Sequence, residues 1–178
     1  MEKETIKNIF DFLEEKEGHK TPFLWKLANN IPLTEDELHI NNDLDLSESD
    51  IIFLPEGLKV KGNLSLRYCT SLKSLPKGLK VESNLDVSDT YITSLPDNLY
   101  VGGYLSLDGC IILQSLPKGL RVGGSLDLYN CTSLTSLPKG LKIEENLYLI
   151  KTPLAKLSDS VLLKMIGSDG YIKGKIVR

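Results

Sequence analysis

A dipeptide, Leu-Pro, recurs five times along this chain at an almost constant interval. It occupies residues 54–55, 75–76, 95–96, 116–117 and 137–138, so that successive copies are 21, 20, 21 and 21 residues apart. A repeat of this length cannot bury its own apolar face, and several copies must stack to form a core. The repeat therefore predicts a solenoid in which each coil is one repeat.

Each repeat contains two short segments in which apolar and polar residues alternate. In the unit that starts at Leu120, the apolar pairs are Leu120 with Val122 and Leu126 with Leu128. Alternation with a period of two is typical of β-strands that have one buried face. The sequence thus predicts an α+β repeat protein, a parallel β-solenoid of about six coils with a strand spacing of about 4.8 Å. The six units start at Leu38, Leu58, Leu79, Leu99, Leu120 and Leu141.

The turn that follows each Leu-Pro has its own pattern. A glycine closes the turn in most units, for example Gly57 and Gly78, and Asn98 takes its place in one unit. Proline presets φ at the start of a turn, whereas glycine and asparagine tolerate the left-handed region. We therefore expect a backbone reason for this column of glycines.

The segments from Leu64 to Cys69 and from Leu126 to Cys131 resemble the L-x-L-x-x-[N/C] core of leucine-rich repeats. With the Ser-Leu-x-Ser-Leu-Pro that follows, they are similar to the short repeats of bacterial effectors of the Yersinia outer-protein M and invasion-plasmid-antigen H type. The resemblance covers about residues 38–160 and implies a leucine-rich-repeat solenoid directed at a host protein, here without a ligase domain. Lys61 and Gly123 stand where that family has a further leucine, which favours a straighter coil than the family's horseshoe.

Both ends of a solenoid need caps, because the terminal coils expose apolar layers. Residues 3–17 have the periodicity of an amphipathic helix ending at Gly18, and Thr21 and Pro22 begin a second helix through about Asn29. We assign residues 1–37 to an N-terminal helical hairpin cap, 38–160 to the solenoid and 161–178 to a short C-terminal cap. In the last part, Ser158 precedes a short helix that ends at Gly167, and residues 170–178 alternate like a terminal strand.

Composition limits the location and the ligands of the chain. No apolar run approaches the roughly 18 residues of a membrane span, and the acidic start does not resemble a signal peptide. Three cysteines are an odd number and argue against a disulfide framework. We therefore expect a cytoplasmic protein without a membrane partner. Residues 1–50 carry a net charge of −8 and residues 51–178 a net charge of +5, short of the basic surface of a nucleic-acid binder.

Three columns of residues resemble chemical sites but have simpler interpretations. Cys69, Cys110 and Cys131 share a position that Ser49 or Thr90 fills in other units, which indicates a structural role. The glycine pairs 102–103 and 123–124 are turn positions, since no phosphate-loop Lys follows them. The column Asp45, Ser65, Asp86, Ser106, Asp127 and Tyr148 is expected to be a solvated row. We find no catalytic set, no cofactor site and no metal site.

The residues that do not repeat are the candidates for function. A row of mostly basic residues follows the first residue of each unit and consists of His39, Lys59, Lys80, Tyr100, Arg121 and Lys142 (the basic row). Tyrosine on a strand face is typical of binding surfaces. The predicted protein-binding residues are Lys59, Arg67, Lys80, Tyr100, Tyr104, Arg121, Asp127, Tyr129 and Tyr148.

The sequence therefore predicts a non-enzymatic protein-binding module, an inhibitor or adaptor acting on a host or cellular protein, and of bacterial or phage origin. Three alternatives stay open. The basic row could bind a polyanion such as nucleic acid, which the charge balance disfavours. An enzyme site could lie around His39, Asp43 and Asp45, and the C-terminal strand could pair with a second copy in a structural homodimer.

Overall fold

The computed structural model describes residues 23–28 and 31–178, and the chain divides into two compact units at residue 38. In the first unit, helix α1 spans Phe23–Ala28, within the second of the two predicted helices. The predicted first helix, residues 3–17, and the predicted helix start at Thr21 lie outside the described residues. A salt bridge within this unit joins Lys26 Nζ to Glu37 Oε1 at 3.0 Å.

The second unit is built from strands of two residues each, in two groups. The strands at the start of each coil form sheet A: β1 (His39–Ile40), β3 (Lys59–Val60), β5 (Lys80–Val81), β7 (Tyr100–Val101), β9 (Arg121–Val122), β11 (Lys142–Ile143) and β13 (Tyr171–Ile172). The strands that follow in each coil form sheet B: β2 (Leu44–Asp45), β4 (Leu64–Ser65), β6 (Leu85–Asp86), β8 (Leu105–Ser106), β10 (Leu126–Asp127), β12 (Leu147–Tyr148) and β14 (Ile176–Val177).

All strand pairs in the two sheets are parallel, and equivalent positions of neighbouring coils lie side by side. In sheet A, Lys59 pairs with Lys80, which in turn pairs with Tyr100. The order of strands in each sheet follows the order of the coils along the chain. The predicted parallel β-solenoid is therefore confirmed, and the predicted repeat units supply the strands of six of the seven coils formed within residues 39–178.

The core lies between the sheets, where the apolar positions of the repeat converge. Leucine at the start of a unit and the leucine or valine pair of sheet B are buried, as for Leu120, Leu126 and Leu128. The apolar residue of sheet A, such as Val122, is buried beside them. Burial of a leucine side chain stabilises the fold by roughly 1.5–3 kcal/mol, so the stacked coils supply the core that a single repeat cannot.

Two columns of the coil have positive φ, and the sequence predicted one of them. The first is the turn after Leu-Pro, with φ between 58° and 75° at Gly57, Gly78, Asn98, Gly119 and Gly140. The second column follows sheet B, and only three of its six members, Asp89, Gly109 and Asn130, are residue types that favour this region. Its members are Glu48, Tyr68, Asp89, Gly109, Asn130 and Lys151, with φ between 56° and 70°.

The C-terminal segment continues both sheets. A 3-10 helix spans Pro153–Lys156, and helix α2 spans Asp159–Ile166 and ends at Gly167, as predicted. Ser158 stands at the N-cap, but its hydroxyl makes no capping hydrogen bond. The segment predicted as one terminal strand forms two, β13 and β14, because Gly174 lies in a turn between them and its N–H donates to Glu145 O at 2.9 Å.

Candidate functional site

The basic row forms a continuous line of side chains along sheet A. Because the strands pair in register, neighbours in the row are about 4.8 Å apart along the solenoid. Lys142 is half-buried, and the other members are exposed. Tyr171 of β13 continues the row beyond Lys142. At the other end, Lys59 Nζ lies 2.9 Å from His39 Nε2.

Other predicted binding residues lie on sheet B or on the turns beside it. Asp127 and Tyr148 are the second residues of β10 and β12, and Tyr104 immediately precedes β8. Arg67 and Tyr129 follow sheet B by two residues. The structure thus does not bring the nine predicted residues together. It places Lys59, Lys80, Tyr100 and Arg121 on one face and the remaining five on another.

The sheet B face carries four aspartates over three neighbouring coils. Asp86 and Asp127 are in strands, and Asp89 and Asp108 are in the turns that follow strands. Partial burial raises the pKa of Asp108, and the carboxylates of Asp127 and Asp89 add to this effect. The guanidinium of Arg67 lies 3.7 Å from Asp89 Oδ2. Its positive charge lowers the pKa of Asp108 and so offsets part of this rise. Within the described residues, no group of histidine, cysteine and acidic side chains is placed to hold a metal ion.

The tyrosines of this face are held by polar contacts. The Tyr104 hydroxyl donates to Asp127 Oδ2 at 2.6 Å. Burial raises the pKa of this phenol, and the Asp127 carboxylate raises it further. The Tyr129 ring lies 4.8 Å from Lys151 Nζ, within the range of a cation–π contact. The ring and the phenol therefore form part of a local network.

The column of alternating Asp and Ser is less solvated than predicted. Asp45 is exposed, but Asp86 and Asp127 are half-buried, and Ser106 is buried. The Ser106 hydroxyl lies 2.7 Å from that of Ser88 in the preceding coil. Hydrogen bonds between neighbouring coils therefore replace part of the contact of this column with solvent.

The column that contains the cysteines is structural. The hydroxyl of Thr90 donates to Val87 O at 2.8 Å, which satisfies a carbonyl of its own coil. The thiol of Cys110 donates to the same carbonyl, at 3.2 Å, from the next coil. All three cysteines, Cys69, Cys110 and Cys131, are buried with free thiols. Burial raises the pKa of Cys110 to about 11 and also raises that of Cys131, so neither thiol is a poised nucleophile.

The glycine pairs permit close stacking of the turns between sheets A and B. A Cβ atom on Gly102 would lie 2.0 Å from Glu82 O, and one on Gly123 would lie 2.1 Å from Gly102 O. The carbonyl and N–H groups of these turns pair between coils, as in the bond from Gly124 N to Gly103 O at 2.9 Å. These residues are bonded to the backbone of the neighbouring coils, as their interpretation as turn positions predicted.

The concave regions of the solenoid include a groove and a smaller cleft. A groove of about 520 Å³ follows three successive Leu-Pro turns, and its lining mixes apolar residues such as Phe53 with charged residues such as Glu56 and Lys77. A smaller cleft of about 260 Å³ (the Arg121 cleft) lies at the C-terminal end of the basic row. Its lining consists of Tyr100, Arg121, Val122, Gly123, Lys142, Glu144 and Tyr171.

The cleft contains residues that were absent from the predicted binding set, notably Lys142, Glu144 and Tyr171. Tyr171 was missed because the last coil lacks Leu-Pro and starts at Gly170 rather than at leucine. A signal was present in the spacing of Ile172 and Ile176, which matches the spacing of the apolar positions in the earlier coils. Aligning that spacing would have placed Tyr171 in the basic row.

The fold defines the chain as a parallel β-solenoid of short leucine-rich coils. No family model, no curated protein and no solved structure matches it. The resemblance to bacterial effector repeats therefore stays a prediction from the residues. Among the residues that the structure describes, no helix is long and apolar enough to cross a bilayer.

Proposed function

We propose that this chain is a non-enzymatic protein-binding module that docks an acidic surface of its partner on the basic row. The observation that carries the proposal is the register of sheet A, which places exposed cations of successive coils side by side. An inhibitor or adaptor acting on a host or cellular protein in the cytoplasm, and carried by a bacterium or phage, is consistent with this role.

The solenoid supports binding because it presents the row on a rigid frame. Each strand of sheet A from β3 to β11 pairs on both sides, so the backbone beneath Lys59, Lys80 and Arg121 is already ordered. Binding on such a surface does not incur the entropic cost of ordering a loop. Complementary charge mainly increases the association rate and the specificity, which suits recognition of an acidic partner.

The two charged faces favour recognition of a particular orientation. Cations dominate the basic row, whereas Asp86, Asp89, Asp108 and Asp127 share the sheet B face. An acidic partner is attracted to the row and repelled by the aspartates. The charge distribution therefore favours sheet A as the docking face.

The test compares a row variant with a matched control. The row variant is Lys59→Ala with Lys80→Ala, and the control is Lys156→Ala with Lys164→Ala, which removes two exposed lysines at the 3-10 helix and at α2. Both variants change the net charge equally. Affinity capture from cells, followed by titration of the captured protein, should show at least a roughly tenfold weaker affinity for the row variant alone. Equal affinity of the two variants for every captured protein would reject the proposed face.

A polyanion is the second candidate, because the regular spacing of cations along the row also fits a chain of anionic groups. A polyanion releases counterions on binding, so its affinity for the row should fall steeply with salt. Binding to heparin at low salt that Lys59→Ala with Lys80→Ala abolishes would favour this candidate. Absence of retention at low salt would remove it.

A further inference from the structure

Two tyrosines, Tyr100 and Tyr171, flank the Arg121 cleft, and Gly123 lines it between them. Tyr100 and Tyr171 lie three strands apart in sheet A, which corresponds to about 14 Å along the solenoid. Between them, Gly123 contributes no side chain, and a Cβ atom there would collide with the carbonyl of Gly102. Arg121 and Lys142 lie on neighbouring strands between the two tyrosines and also line the cleft.

The Tyr171 side chain is held in place by its surroundings. Its hydroxyl donates to Glu144 Oε1, and Lys173 Nζ donates to Glu144 Oε2. The Tyr171 ring also lies 5.9 Å from Lys142 Nζ and 5.3 Å from Lys173 Nζ. The hydrogen bond to the Glu144 carboxylate raises the pKa of Tyr171, which keeps the phenol protonated.

The charge of the cleft is positive. Glu144 is the only acidic residue in its lining, and Lys173 balances that charge from outside the lining. Arg121 and Lys142 form no ion pair with any of the residues that the structure describes. Two positive charges on adjacent strands thus remain uncompensated within a cleft of about 260 Å³.

We propose that the Arg121 cleft binds a phosphate monoester carried by a side chain of the protein partner, an inference that rests on the proposed function. A phosphate monoester has a charge of about −1.5 to −2 at neutral pH and three acceptor oxygens. Arg121 offers a planar fork for two of these oxygens, and Lys142 offers a point charge beside it. A single carboxylate would leave one of the two cations uncompensated.

The full chain is titrated with four fluorescent peptides that share one acidic sequence. One peptide carries phosphotyrosine, one phosphoserine, one glutamate and one unmodified tyrosine at the central position. The expected result is that at least one phosphopeptide binds roughly tenfold or more tightly than the glutamate and tyrosine peptides, since hydrogen bonds to charged groups supply this difference. Equal affinity of the phosphorylated and glutamate peptides would overturn the proposal.

Variants locate the binding in the cleft. Arg121→Ala should lower the affinity for the phosphopeptide roughly tenfold or more, and Arg121→Lys should lower it less. Lys164→Ala, which removes an exposed lysine outside the cleft lining, should leave it unchanged. A urea titration checks that each variant is folded. An Arg121→Ala variant that folds and binds the phosphopeptide as the wild type does would contradict the assignment.

Two further measurements separate this inference from its foundation. Inorganic phosphate should compete only weakly with the phosphopeptide, and affinity for inorganic phosphate equal to that for the phosphopeptide would overturn a site for a phosphorylated side chain. Lys59→Ala with Lys80→Ala should lower the affinity for the protein partner. The same variant should change the affinity for the phosphopeptide by less than about twofold, because both lysines lie outside the cleft. If the double variant loses partner binding but the wild type binds no phosphopeptide, the proposed function stands and the phosphate site in the cleft is rejected.

Discussion

Replacement of Gly102 by alanine tests the close stacking of the coils. Gly102 lies in the turn between β7 and β8, and an added Cβ would lie 2.0 Å from Glu82 O. Real Cβ atoms essentially never approach another atom within 3.0 Å, so the two coils would have to separate by about 1 Å locally. Gly102 does not have the left-handed φ of the glycines that follow Leu-Pro, and the effect is therefore steric.

The magnitude follows from two contributions. Forcing an extra methyl group into a packed site costs typically 1–3 kcal/mol. Separation of the coils also weakens two backbone hydrogen bonds, from Gly102 N to Val81 O and from Gly103 N to Ser83 O, each at 2.9 Å. A hydrogen bond contributes about 1 kcal/mol net. We therefore expect Gly102→Ala to lower the free energy of unfolding by about 3 kcal/mol.

The matched control is Gly140→Ala. Gly140 has a φ of 74°, and an added Cβ meets nothing within 4 Å. Its replacement should cost about 1–2 kcal/mol from the left-handed backbone alone. Both substitutions restrict the unfolded chain equally, so the difference between them compares the steric clash at Gly102 with the backbone strain at Gly140. Urea unfolding followed by circular dichroism gives both values. A Gly102→Ala variant no less stable than Gly140→Ala would refute the close approach.

Two other predictions concern buried and charged groups. First, Cys110 and Cys131 should resist a thiol reagent in the native protein at pH 8, because burial raises the pKa of both thiols. All three cysteines should react once guanidinium unfolds the chain. Rapid labelling of the native protein would contradict this prediction. Second, Asp108→Asn should stabilise the protein at pH 7 by no more than about 1 kcal/mol, because water screens this partly exposed group. The pKa of Asp108 is higher in the native state than in the unfolded chain, so the native state binds this proton more tightly. The wild type therefore loses stability as the pH rises from the ordinary pKa of 3.8 through the higher native pKa. The advantage of Asp108→Asn should therefore disappear below the ordinary pKa of 3.8, and an advantage that persists there would exclude this origin.

The fold was predictable to the extent that each coil repeats the same chemistry. Leucine or valine at alternating positions predicted both sheets, and Asn98 in a column of glycines predicted the left-handed turn that the structure shows. The seventh coil, formed by β13 and β14, was not predicted as a coil. Gly170 stands where earlier coils have leucine, and no Leu-Pro precedes it, so the pattern is incomplete there.

The candidate site was predictable as a row but not as a cleft. Register places Arg121 beside Lys142 once the coils are aligned. The hydrogen bonds of Glu144 to Tyr171 and Lys173 cross from one coil to the next and bring together residues about 30 positions apart. No local pattern predicts that this carboxylate is already paired, and the positive charge of the cleft depends on that pairing.

The sequence by itself determined the coil, because alternating apolar residues and turn glycines act within about 20 residues of chain. Tertiary structure alone decided the positive φ of Glu48, Tyr68 and Lys151 in the second column, since none of these residue types favours that region. In that column, Tyr68 N donates to Ser88 O at 3.1 Å and Asp89 N donates to Asp108 O at 2.7 Å, each to the following coil. A left-handed residue costs roughly 1–2 kcal/mol, and the hydrogen bond and packing between coils offset that cost only when the coils are stacked.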